Sequence, residues 1–377
     1  MKVGVDCSPI MYKKTGVGNY VHNLLLNLAK IDTINSYVLF LQSLTHLDSE
    51  KTVRYEFAHK KTVAIRAPKP LLDFFWYKLR FTSIDAFIGK VDIFHSNFYS
   101  PRIRKAKSVL TVYDMSFASY PDLQTTAVQR FYPKVRESCN KALKVITISN
   151  FSKAEILKFL DIPEEKVEVI YPGVIVNEPK CSNSDEEKLL SKYQLSGSYV
   201  LFVGTIEPRK NIAAIVKAFE ILLQKYKYRC ELVIVGKLGW KYEECLRKIR
   251  GSRAQSRIRM LGYVPDDDLP IIYKHASVFV YPSVYEGFGL PVLEAMAYDT
   301  PVITSNVSSL PEIAGDAALL VNPYDEGQIA EAMDKVMRDP EQRRQLIERG
   351  REQVKKYSWM ETARRTLELY EQVYNEK

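Results

Sequence analysis

A glycine-rich segment in the second half of the chain carries residues whose types and spacing suit an anionic ligand. The segment, 285–297, reads YEGFGLPVLEAMA and follows a strand-like run that ends at Tyr281. Gly287 and Gly289 let the backbone bend sharply and approach a ligand closely, and Pro291 suits the first turn of a helix. The exposed amides at this helix start and the positive end of the helix dipole predict a site for a diphosphate.

The two glutamates of this segment lie on either side of the predicted bend. Glu286 precedes the helix and Glu294 lies inside it, so one continuous helix does not carry both. Carboxylates accept hydrogen bonds from hydroxyl groups, and this pair is suited to flank a ligand with sugar hydroxyls. The alternative is a plain turn and helix start with two solvent-facing glutamates, which the density of glycine and acid in so short a string disfavours.

A second segment, FVGTIEPRKN at 202–211, places two cations after a strand that ends at Val203. Arg209 and Lys210 stand where the next helix begins, with Asn211 as a candidate N-cap. Open α/β sheets bind ligands at the carboxyl ends of their strands. Arginine forks onto phosphate oxygens and lysine adds a point charge, so the pair predicts a diphosphate contact. A solvated helix start is the alternative.

The elements that must position these residues form a repeated pattern. Both halves alternate short β-branched runs with helical stripes, which predicts parallel sheets wrapped by helices. Strands are predicted at 3–6, 37–41, 92–95, 108–112, 144–148 and 167–170, and again at 199–203, 231–235, 257–261, 278–281, 301–304 and 317–321. Ser152 and Glu155 have capping-box spacing for a helix start. The polar stretch 177–196 predicts a linker.

Length and composition limit the class of protein. A chain of 377 residues suits two α/β domains. Its start is too short and too polar for a signal peptide, and no apolar run approaches the roughly 18 residues of a membrane helix. The five cysteines are scattered, with no Cys-x-x-Cys pair. Zinc and disulfide frameworks are therefore disfavoured, and a reducing cytoplasm is expected.

The net positive charge of the chain comes from its first half. Residues 1–180 hold 26 basic and 17 acidic side chains, whereas 181–377 hold 28 of each. Residues 51–107 alone hold 13 basic and 4 acidic side chains. This predicts either a surface that meets an anionic partner or a solvated basic face. Within it, the aromatic and basic segment 71–81 fits a buried helix or an interfacial one, and its apolar residues on nearly every side favour burial.

Together these segments resemble the retaining glycosyltransferases of family 4, which have the GT-B fold. The resemblance covers nearly the whole chain and is closest to bacterial mannosyl- and rhamnosyltransferases of cell-surface glycan assembly. It rests on TGVGNY (15–20), FHSNFYSP (94–101), ITISNFSKAEI (146–156), VIYPGV (169–174), VGTIEPRKN (203–211), LVIVGKLGW (232–240) and the run 262–297. It implies an α/β chain of two facing Rossmann-like domains with parallel sheets and a deep interdomain cleft.

The same resemblance assigns the halves of the chain. Residues 1–176 would form the acceptor-side domain, and 358–377 would be a helix that packs back on it. Residues 197–357 would form the domain that binds the nucleotide-sugar donor. The acceptor would be a glycan or a lipid-linked glycan, and the transferred hexose mannose from GDP-mannose. The α-linkage would be retained by attack on the same face, with the departing diphosphate helping to take the acceptor's proton.

Residue roles follow from the same family pattern. Glu286 would hold hydroxyls of the donor sugar, Glu294 the ribose hydroxyls, and Arg209 and Lys210 the diphosphate. Further donor contacts would come from Gly16, Gly18, Thr205, Tyr263, Val264, Gly287, Phe288, Gly289 and Leu290, with Tyr263 and Val264 near the base. TGVGNY lacks the third glycine of a dinucleotide fingerprint, and no acidic residue ends the next strand-like run, so a dehydrogenase is disfavoured.

The chain departs from the family at a site expected to be catalytic. Relatives carry a His-Asp pair after a first-domain strand, whereas this chain has Tyr113 and Asp114. Asp114 can still orient a substrate hydroxyl, and His95 is a candidate substitute for the missing histidine. The departure leaves open an inactive nucleotide-sugar-binding subunit. A sugar phosphate synthase or an epimerase of the same fold is a further alternative.

No cofactor, metal or nucleic acid is expected. Asp266, Asp267 and Asp268 invite a metal-binding interpretation, but the family resemblance places them at a helix start, where acids stabilise the dipole. Two protein cations and a helix N-terminus already oppose the diphosphate, so the leaving group has no clear need of a divalent ion. The expected location is the cytoplasm, with peripheral contact to the inner face of an anionic membrane.

Overall fold

A computed structural model describes residues 1–11, 15–44, 54–68, 71–72, 74–78, 83–123, 131–176 and 182–376. These residues divide into two units. The first holds the described residues of Met1–Pro121, Thr126–Gly173 and Ser358–Lys377, and the second those of Asp122–Thr125 and Val174–Tyr357. The end of the chain therefore returns to the first unit.

The first unit is built on a parallel sheet of seven strands in the order β3-β2-β1-β4-β5-β6-β7. The strands are β1 (Lys2–Asp6), β2 (Ser36–Gln42), β3 (His59–Ile65), β4 (Ile93–Asn97), β5 (Lys107–Thr111), β6 (Lys144–Thr147) and β7 (Val167–Val169). The apolar pattern of the sequence predicts all of them except β3. This edge strand begins with three exposed polar residues, which conceal its apolar pattern, and such lysine-bearing edges discourage sheet-to-sheet association.

Helices α1 to α5 and the last helix belong to this unit. They are α1 (Gly16–Ile31), α2 (Asp85–Ile88), α3 (Ser116–Ser119), α4 (Tyr132–Lys141), α5 (Asn150–Phe159) and α14 (Trp359–Asn375). The predicted cap of α5 is wrong by one turn. Ser149 is the N-cap, and its side chain accepts from the amide of Ser152 at 3.0 Å. Ser152 donates instead to the Tyr113 carbonyl, and Glu155 accepts from the Ser119 hydroxyl.

The second unit repeats the plan with six parallel strands in the order β10-β9-β8-β11-β12-β13. They are β8 (Tyr199–Val203), β9 (Glu231–Val235), β10 (Ile258–Gly262), β11 (Val278–Tyr281), β12 (Val302–Ser305) and β13 (Ala318–Val321). All six are predicted to within one residue. β8 and β11 are buried along their whole length. Their continuous apolar runs are typical of central parallel strands covered by helices on both faces.

Helices α6 to α13 complete the second unit. They are α6 (Asn183–Lys192), α7 (Ile212–Lys225), α8 (Glu243–Arg250), α9 (Leu269–Lys274), α10 (Leu290–Ala297), α11 (Leu310–Ala314), α12 (Glu326–Arg338) and α13 (Pro340–Val354). Helix α6 lies inside the stretch predicted as a linker, so that prediction is wrong for 182–192, and 177–181 lie outside the described residues. A capping box between Ser182 and Asp185 starts the helix, and Glu186 fixes it to Lys274 at 2.7 Å.

The described part of segment 71–81 contributes to the core of the first unit. Leu72 and Trp76 are buried together with Val38, Ile88 and Phe94. Leu71 and Phe74 are exposed, at 48% and 44% of their surface. The segment thus has a buried face and an exposed apolar one. Among the described residues, no helix is both long enough and apolar enough to cross a membrane.

A buried histidine joins the last helix to the first sheet. His95 Nδ1 lies 2.6 Å from the Tyr370 hydroxyl of α14, and Nε2 lies 2.7 Å from Thr111 Oγ1 of β5. At the end of α14, where helix carbonyls lack partners, Lys107 Nζ donates to the carbonyl of Val373 at 3.0 Å. Burial lowers the pKa of His95 to about 4, so the ring is neutral at physiological pH.

This histidine predicts a loss of stability in mild acid. Its pKa is about 6.5 in an unfolded chain, so the unfolded state takes up the proton first as the pH falls. The contribution of this pKa shift to the free energy of unfolding is complete above pH 6.5 and is lost as the pH falls towards 4. For a shift of this size the loss is about 3 kcal/mol. Urea unfolding at several pH values should therefore show a shallower acid slope for His95→Gln than for the parent chain. His59→Gln, an exposed position on β3, is the control; equal slopes in all three proteins would contradict the prediction.

Candidate functional site

Two loops meet where the second sheet reverses its strand order. β8 and β11 are neighbours, with β9 beyond β8 and β12 beyond β11. The chain therefore leaves these two strands in opposite directions, which opens a crevice at their carboxyl ends, the usual ligand site of such sheets. The loop after β8 leads into a 3-10 turn at Pro208–Lys210, and the loop after β11 leads into α10.

These two loops bring the predicted cations and one predicted glutamate into direct contact. The Glu286 carboxylate accepts from Arg209 Nη1 at 2.7 Å and from Lys210 Nζ at 2.5 Å. The Tyr281 hydroxyl, at the end of β11, donates to the same carboxylate at 2.9 Å and accepts from Lys210. Glu286 and Lys210 are each 6% exposed. Residues separated by more than seventy positions thus form one charged cluster.

The charges in this cluster hold each other in place. Burial alone would raise the pKa of Glu286, but the adjacent charges of Arg209 and Lys210 lower it to about 2. The pKa of Lys210 is lowered by burial and by Arg209, while Glu286 and Glu207 act in the opposite direction. Glu286 is therefore an anion throughout the neutral range. Truncation of one partner in such a buried pair leaves an uncompensated charge.

Glu207 belongs to this cluster, although sequence analysis gives it no role. Its Oε1 lies 2.5 Å from Arg209 Nε, and the residue is 1% exposed. Burial is the main cause that raises its pKa, and the Glu286 charge adds to it. The signal was available: an acid stands two residues before Arg209 in a motif already identified.

Two further residues hold the backbone of the glutamate loop. The amide of Glu286 donates to Ser308 Oγ at 3.2 Å. Ser309 Oγ donates to the carbonyls of Glu286 at 2.9 Å and of Phe288 at 2.7 Å. Ser309 is fully buried. These serines come from the loop that follows β12, and no sequence pattern links them to a segment more than twenty residues earlier.

The bend and helix start form as predicted, but the amides are not exposed. Gly289 has φ +115, and a Cβ there would lie 2.8 Å from Leu310 Cδ2, so the position favours glycine. Residues 281–289, including Gly287 and Phe288, are buried, and Leu290 opens α10 partly exposed. The amide of Val292 donates to the Gly289 carbonyl at 3.0 Å. Of the predicted row of exposed amides, those of Phe288 and Gly289 belong to buried residues and that of Val292 is already bonded, whereas Leu290 is partly exposed.

The remaining donor-site candidates lie along the same edge of the second sheet. Glu294 is partly exposed on α10 and accepts from the Tyr273 hydroxyl at 3.0 Å. Desolvation raises its pKa. Thr205 is exposed after β8, and Val264 is buried after β10. Tyr263 is 48% exposed and has Lys237 Nζ 4.4 Å from its ring centroid, a cation–π contact that leaves an aromatic surface accessible.

Gly16 and Gly18 lie in the first turn of α1 rather than in a loop. The side chain of Thr15 caps this helix by accepting from the Gly18 amide at 3.0 Å. A Cβ on Gly18 would lie 2.8 Å from the Pro9 carbonyl oxygen, whereas Gly16 is exposed and has open space. Close packing against the segment after β1 explains Gly18, and only Gly16 offers open surface.

The site of the missing histidine is closed. Tyr113 is buried, and its hydroxyl donates to Asn97 Oδ1 at 2.6 Å. Asp114 is partly exposed and accepts from the Ser116 amide at 2.9 Å. His95 lies on the preceding strand, but both its ring nitrogens are engaged by Tyr370 and Thr111. His95 therefore has a structural role and does not replace the missing histidine.

The three consecutive aspartates stand at a helix start, but the one next to the helix does not cap it. Asp268 precedes α9 and makes no side-chain cap bond. Its carboxylate accepts from Lys192 Nζ at 2.7 Å and from the Tyr193 hydroxyl at 2.6 Å. Asn211 likewise does not cap α7 with its side chain, which donates to the Pro282 and Pro323 carbonyls. In the described ranges, no three histidines, cysteines or acids are grouped as metal ligands.

Models of known protein families match both halves of the chain. A glycosyltransferase family 4 model matches residues 14–178, and a model of glycosyl transferases group 1 matches residues 186–353. The chain is 33% identical to O-antigen chain mannosyltransferase B of Escherichia coli over 98% of its own length and 99% of that protein. It is 26% identical to O-antigen chain mannosyltransferase RfbU of Salmonella typhimurium, over 89% of the chain and 91% of that protein.

A solved structure supports the architecture. Sucrose-phosphate synthase from Thermosynechococcus elongatus matches with a TM-score of 0.76 over 99% of both chains, at 21% identity, which concerns the fold alone. The two parallel sheets with their helices are the Rossmann-like domains of the GT-B fold. The chain belongs to glycosyltransferase family 4: the two family models together match most of its length, and it is 33% identical to mannosyltransferase B over 98% of the chain.

Proposed function

We propose that this protein transfers mannose from GDP-mannose, with retention of the α-linkage, to a glycan or lipid-linked acceptor in cell-surface polysaccharide assembly. The observation that carries the proposal is the cluster of Glu286, Arg209 and Lys210 at the strand switch of the second sheet. The names of two relatives that match most of the chain, both O-antigen chain mannosyltransferases, support the sugar and the type of acceptor.

In this proposal the second unit binds the donor. Arg209 and Lys210 meet the diphosphate, while Glu286 accepts hydroxyls of the sugar and Glu294 those of the ribose. The exposed face of Tyr263, with its nearby lysine, suits a stacked base. Because Glu286 already accepts hydrogen bonds from both cations, the diphosphate takes over part of their hydrogen bonding when the donor binds.

Catalysis then comes from positioning and from charge stabilisation at the leaving group. The acceptor attacks the face from which the diphosphate departs, and the diphosphate helps to take the acceptor's proton. Two cations fixed before the reaction stabilise the negative charge that develops on the leaving oxygen. They supply the charge that a divalent ion would otherwise supply, so the reaction needs no metal.

The first unit would carry the acceptor and contact an anionic membrane from the cytoplasmic side. Exposed Leu71 and Phe74 flank the buried core formed with Trp76. Val63 of β3 and Ile103 of the β4–β5 connection pack against the same core. Lys61 shares the face of Val63, since side chains alternate along a strand, and Arg102, Arg104 and Lys105 lie in the connection beside Ile103. Apolar and basic residues therefore border one region.

Removal of either cation should abolish most of the transfer. Arg209→Ala and Lys210→Ala should each lower turnover of GDP-mannose by roughly 10²–10³, as loss of a charge stabiliser commonly does. Turnover is measured as GDP release with and without acceptor glycan, and NMR of the product reports the anomeric configuration. Near-normal turnover in both variants would reject this diphosphate site. Donor binding by the parent chain without transfer or hydrolysis would instead support an inactive subunit, which the closed site at Tyr113 would suit.

Metal removal should leave activity unchanged. The two cations of the cluster oppose the diphosphate, so transfer in excess EDTA should equal transfer in untreated buffer. The comparison uses the purified chain with GDP-mannose, with and without added Mg²⁺ or Mn²⁺. Loss of activity that either ion restores would show that the diphosphate depends on a metal. Asp266 and Asp267 would then be candidate metal ligands.

Membrane contact should depend on charge and on one face of the first unit. The chain should sediment with anionic liposomes at low salt and be released at 1 M salt, where the Debye length is about 3 Å. Replacing Lys61, Arg102, Arg104 and Lys105 by Gln should weaken sedimentation, because each basic residue near such a surface contributes about 1 kcal/mol. Lys60→Gln, on the opposite face of β3, is the control. Equal binding to neutral and anionic liposomes would contradict the proposed contact, and the basic residues would then form only a solvated face.

A further inference from the structure

Glu207 is a buried acid of the charged cluster, in the loop that follows β8. It precedes the 3-10 turn at Pro208–Lys210, and its carbonyl accepts from the Lys210 amide at 3.1 Å. Its side chain is 1% exposed. Burial of a carboxylate is costly unless a partner compensates, and the partner here is Arg209, whose Nε lies 2.5 Å away.

The contact with Glu207 fixes one edge of the Arg209 guanidinium. On the other side, Arg209 Nη1 donates to Glu286 Oε2 at 2.7 Å and to the Tyr285 carbonyl at 3.1 Å. A planar guanidinium held at two of its nitrogens has lost much of the rotational freedom of a long side chain. Glu207 thus orients the arginine, while Glu286 is the group nearer to the reacting sugar in the proposed function.

Glu207 also changes the electrostatics around Lys210. The groups that face Lys210 are Arg209 and Glu207 from its own turn, Tyr281 at the end of β11 and Glu286 in the following loop. Arg209 disfavours a second positive charge beside it, while the two carboxylates favour it. Without Glu207, a single carboxylate would balance two cations, of which Lys210 is buried.

We propose that Glu207 is a positioning residue of the transfer reaction, which holds the Arg209 guanidinium in place and keeps Lys210 charged for contact with the donor diphosphate. The inference rests on the proposed function, in which Arg209 and Lys210 bind the leaving group. Glu207 itself touches neither the donor nor the acceptor and acts through these two cations alone.

The experiment separates the two parts of this role. Glu207→Ala removes both the contact and the charge, and should lower kcat/KM by about tenfold to a hundredfold, as loss of an orienting partner commonly does. Glu207→Gln keeps the shape and an oxygen acceptor for Arg209, so much of the activity at pH 7 should return. The glutamine lacks the negative charge, so the alkaline limb of kcat/KM against pH should move about one pH unit lower, as expected when one nearby opposite charge is lost.

A further variant tests whether the alkaline limb of the pH profile comes from Lys210. Lys210→Arg carries a cation that does not titrate in this range, so its alkaline limb should be absent or reduced, and adding Glu207→Gln should not shift what remains. A limb that comes from ionisation of the donor would be the same in every variant. An unchanged limb in Glu207→Gln would overturn the electrostatic part of the proposal.

A double-mutant cycle tests whether Glu207 acts through Arg209. If it does, the loss from Glu207→Ala should be clearly smaller in the Arg209→Ala background than in the parent chain, with the remainder arising through Lys210; fully additive losses would overturn the positioning of Arg209 by Glu207. Glu186→Gln is the matched control, since Glu186 is also buried and paired with Lys274 and His275, away from the cluster. It should keep the parent pH profile even where it lowers the melting temperature.

The outcomes distinguish this inference from the proposed function. If Arg209→Ala and Lys210→Ala keep near-normal turnover, the proposed diphosphate site fails, and this inference fails with it. If those two variants lose turnover while both Glu207 variants behave like Glu186→Gln, the diphosphate site stands and only the role of Glu207 is rejected.

Discussion

The second unit is organised around a buried carboxylate that two cations share. Glu286 reaches Arg209 and Lys210 only because β8 and β11 are adjacent and end at the same edge of the sheet. The cost of burying these ions is offset by their mutual attraction and by two further hydrogen bonds, from the Tyr281 hydroxyl to Glu286 and from Arg209 to the Tyr285 carbonyl. Ser308 and Ser309 hold the backbone of the loop that carries this carboxylate.

Close backbone packing is the second constraint on that edge. A Cβ on Gly236, which follows β9, would lie 1.9 Å from the Gly204 carbonyl oxygen, and Gly236 has φ +144. The loops after β8 and β9 therefore approach more closely than side chains would permit. The first sheet has an equivalent strand reversal between β1 and β4. There, Asn97 links the β1 and β5 ends by bonding the Asp6 carbonyl and the Tyr113 hydroxyl.

The sequence predicted the sheets well because continuous apolar runs are strong local signals. It missed β3, whose exposed start hides the pattern. It misplaced the cap of α5 because Ser152 has a glutamate three residues later, whereas the actual cap, Ser149, does not. The local chemistry of their motifs is enough to single out Glu286, Arg209 and Lys210 as donor-site candidates. The contact between these three residues depends on tertiary packing over long sequence separations, which no local pattern reports. The same is true of the hydrogen bond between His95 and Tyr370 in the last helix.

The charge balance of the cluster bears on how a donor would be used. Two carboxylates, Glu207 and Glu286, face two cations, Arg209 and Lys210, so the site is neutral before a diphosphate arrives. In the proposed reaction, the diphosphate replaces part of the interaction between Glu286 and the cations. The free energy of donor binding is therefore only the difference between the two interactions, which keeps ground-state binding modest. As the glycosidic bond breaks, charge grows on the diphosphate and its attraction to the cations increases. Interactions that strengthen between ground state and transition state are the ones that accelerate a reaction.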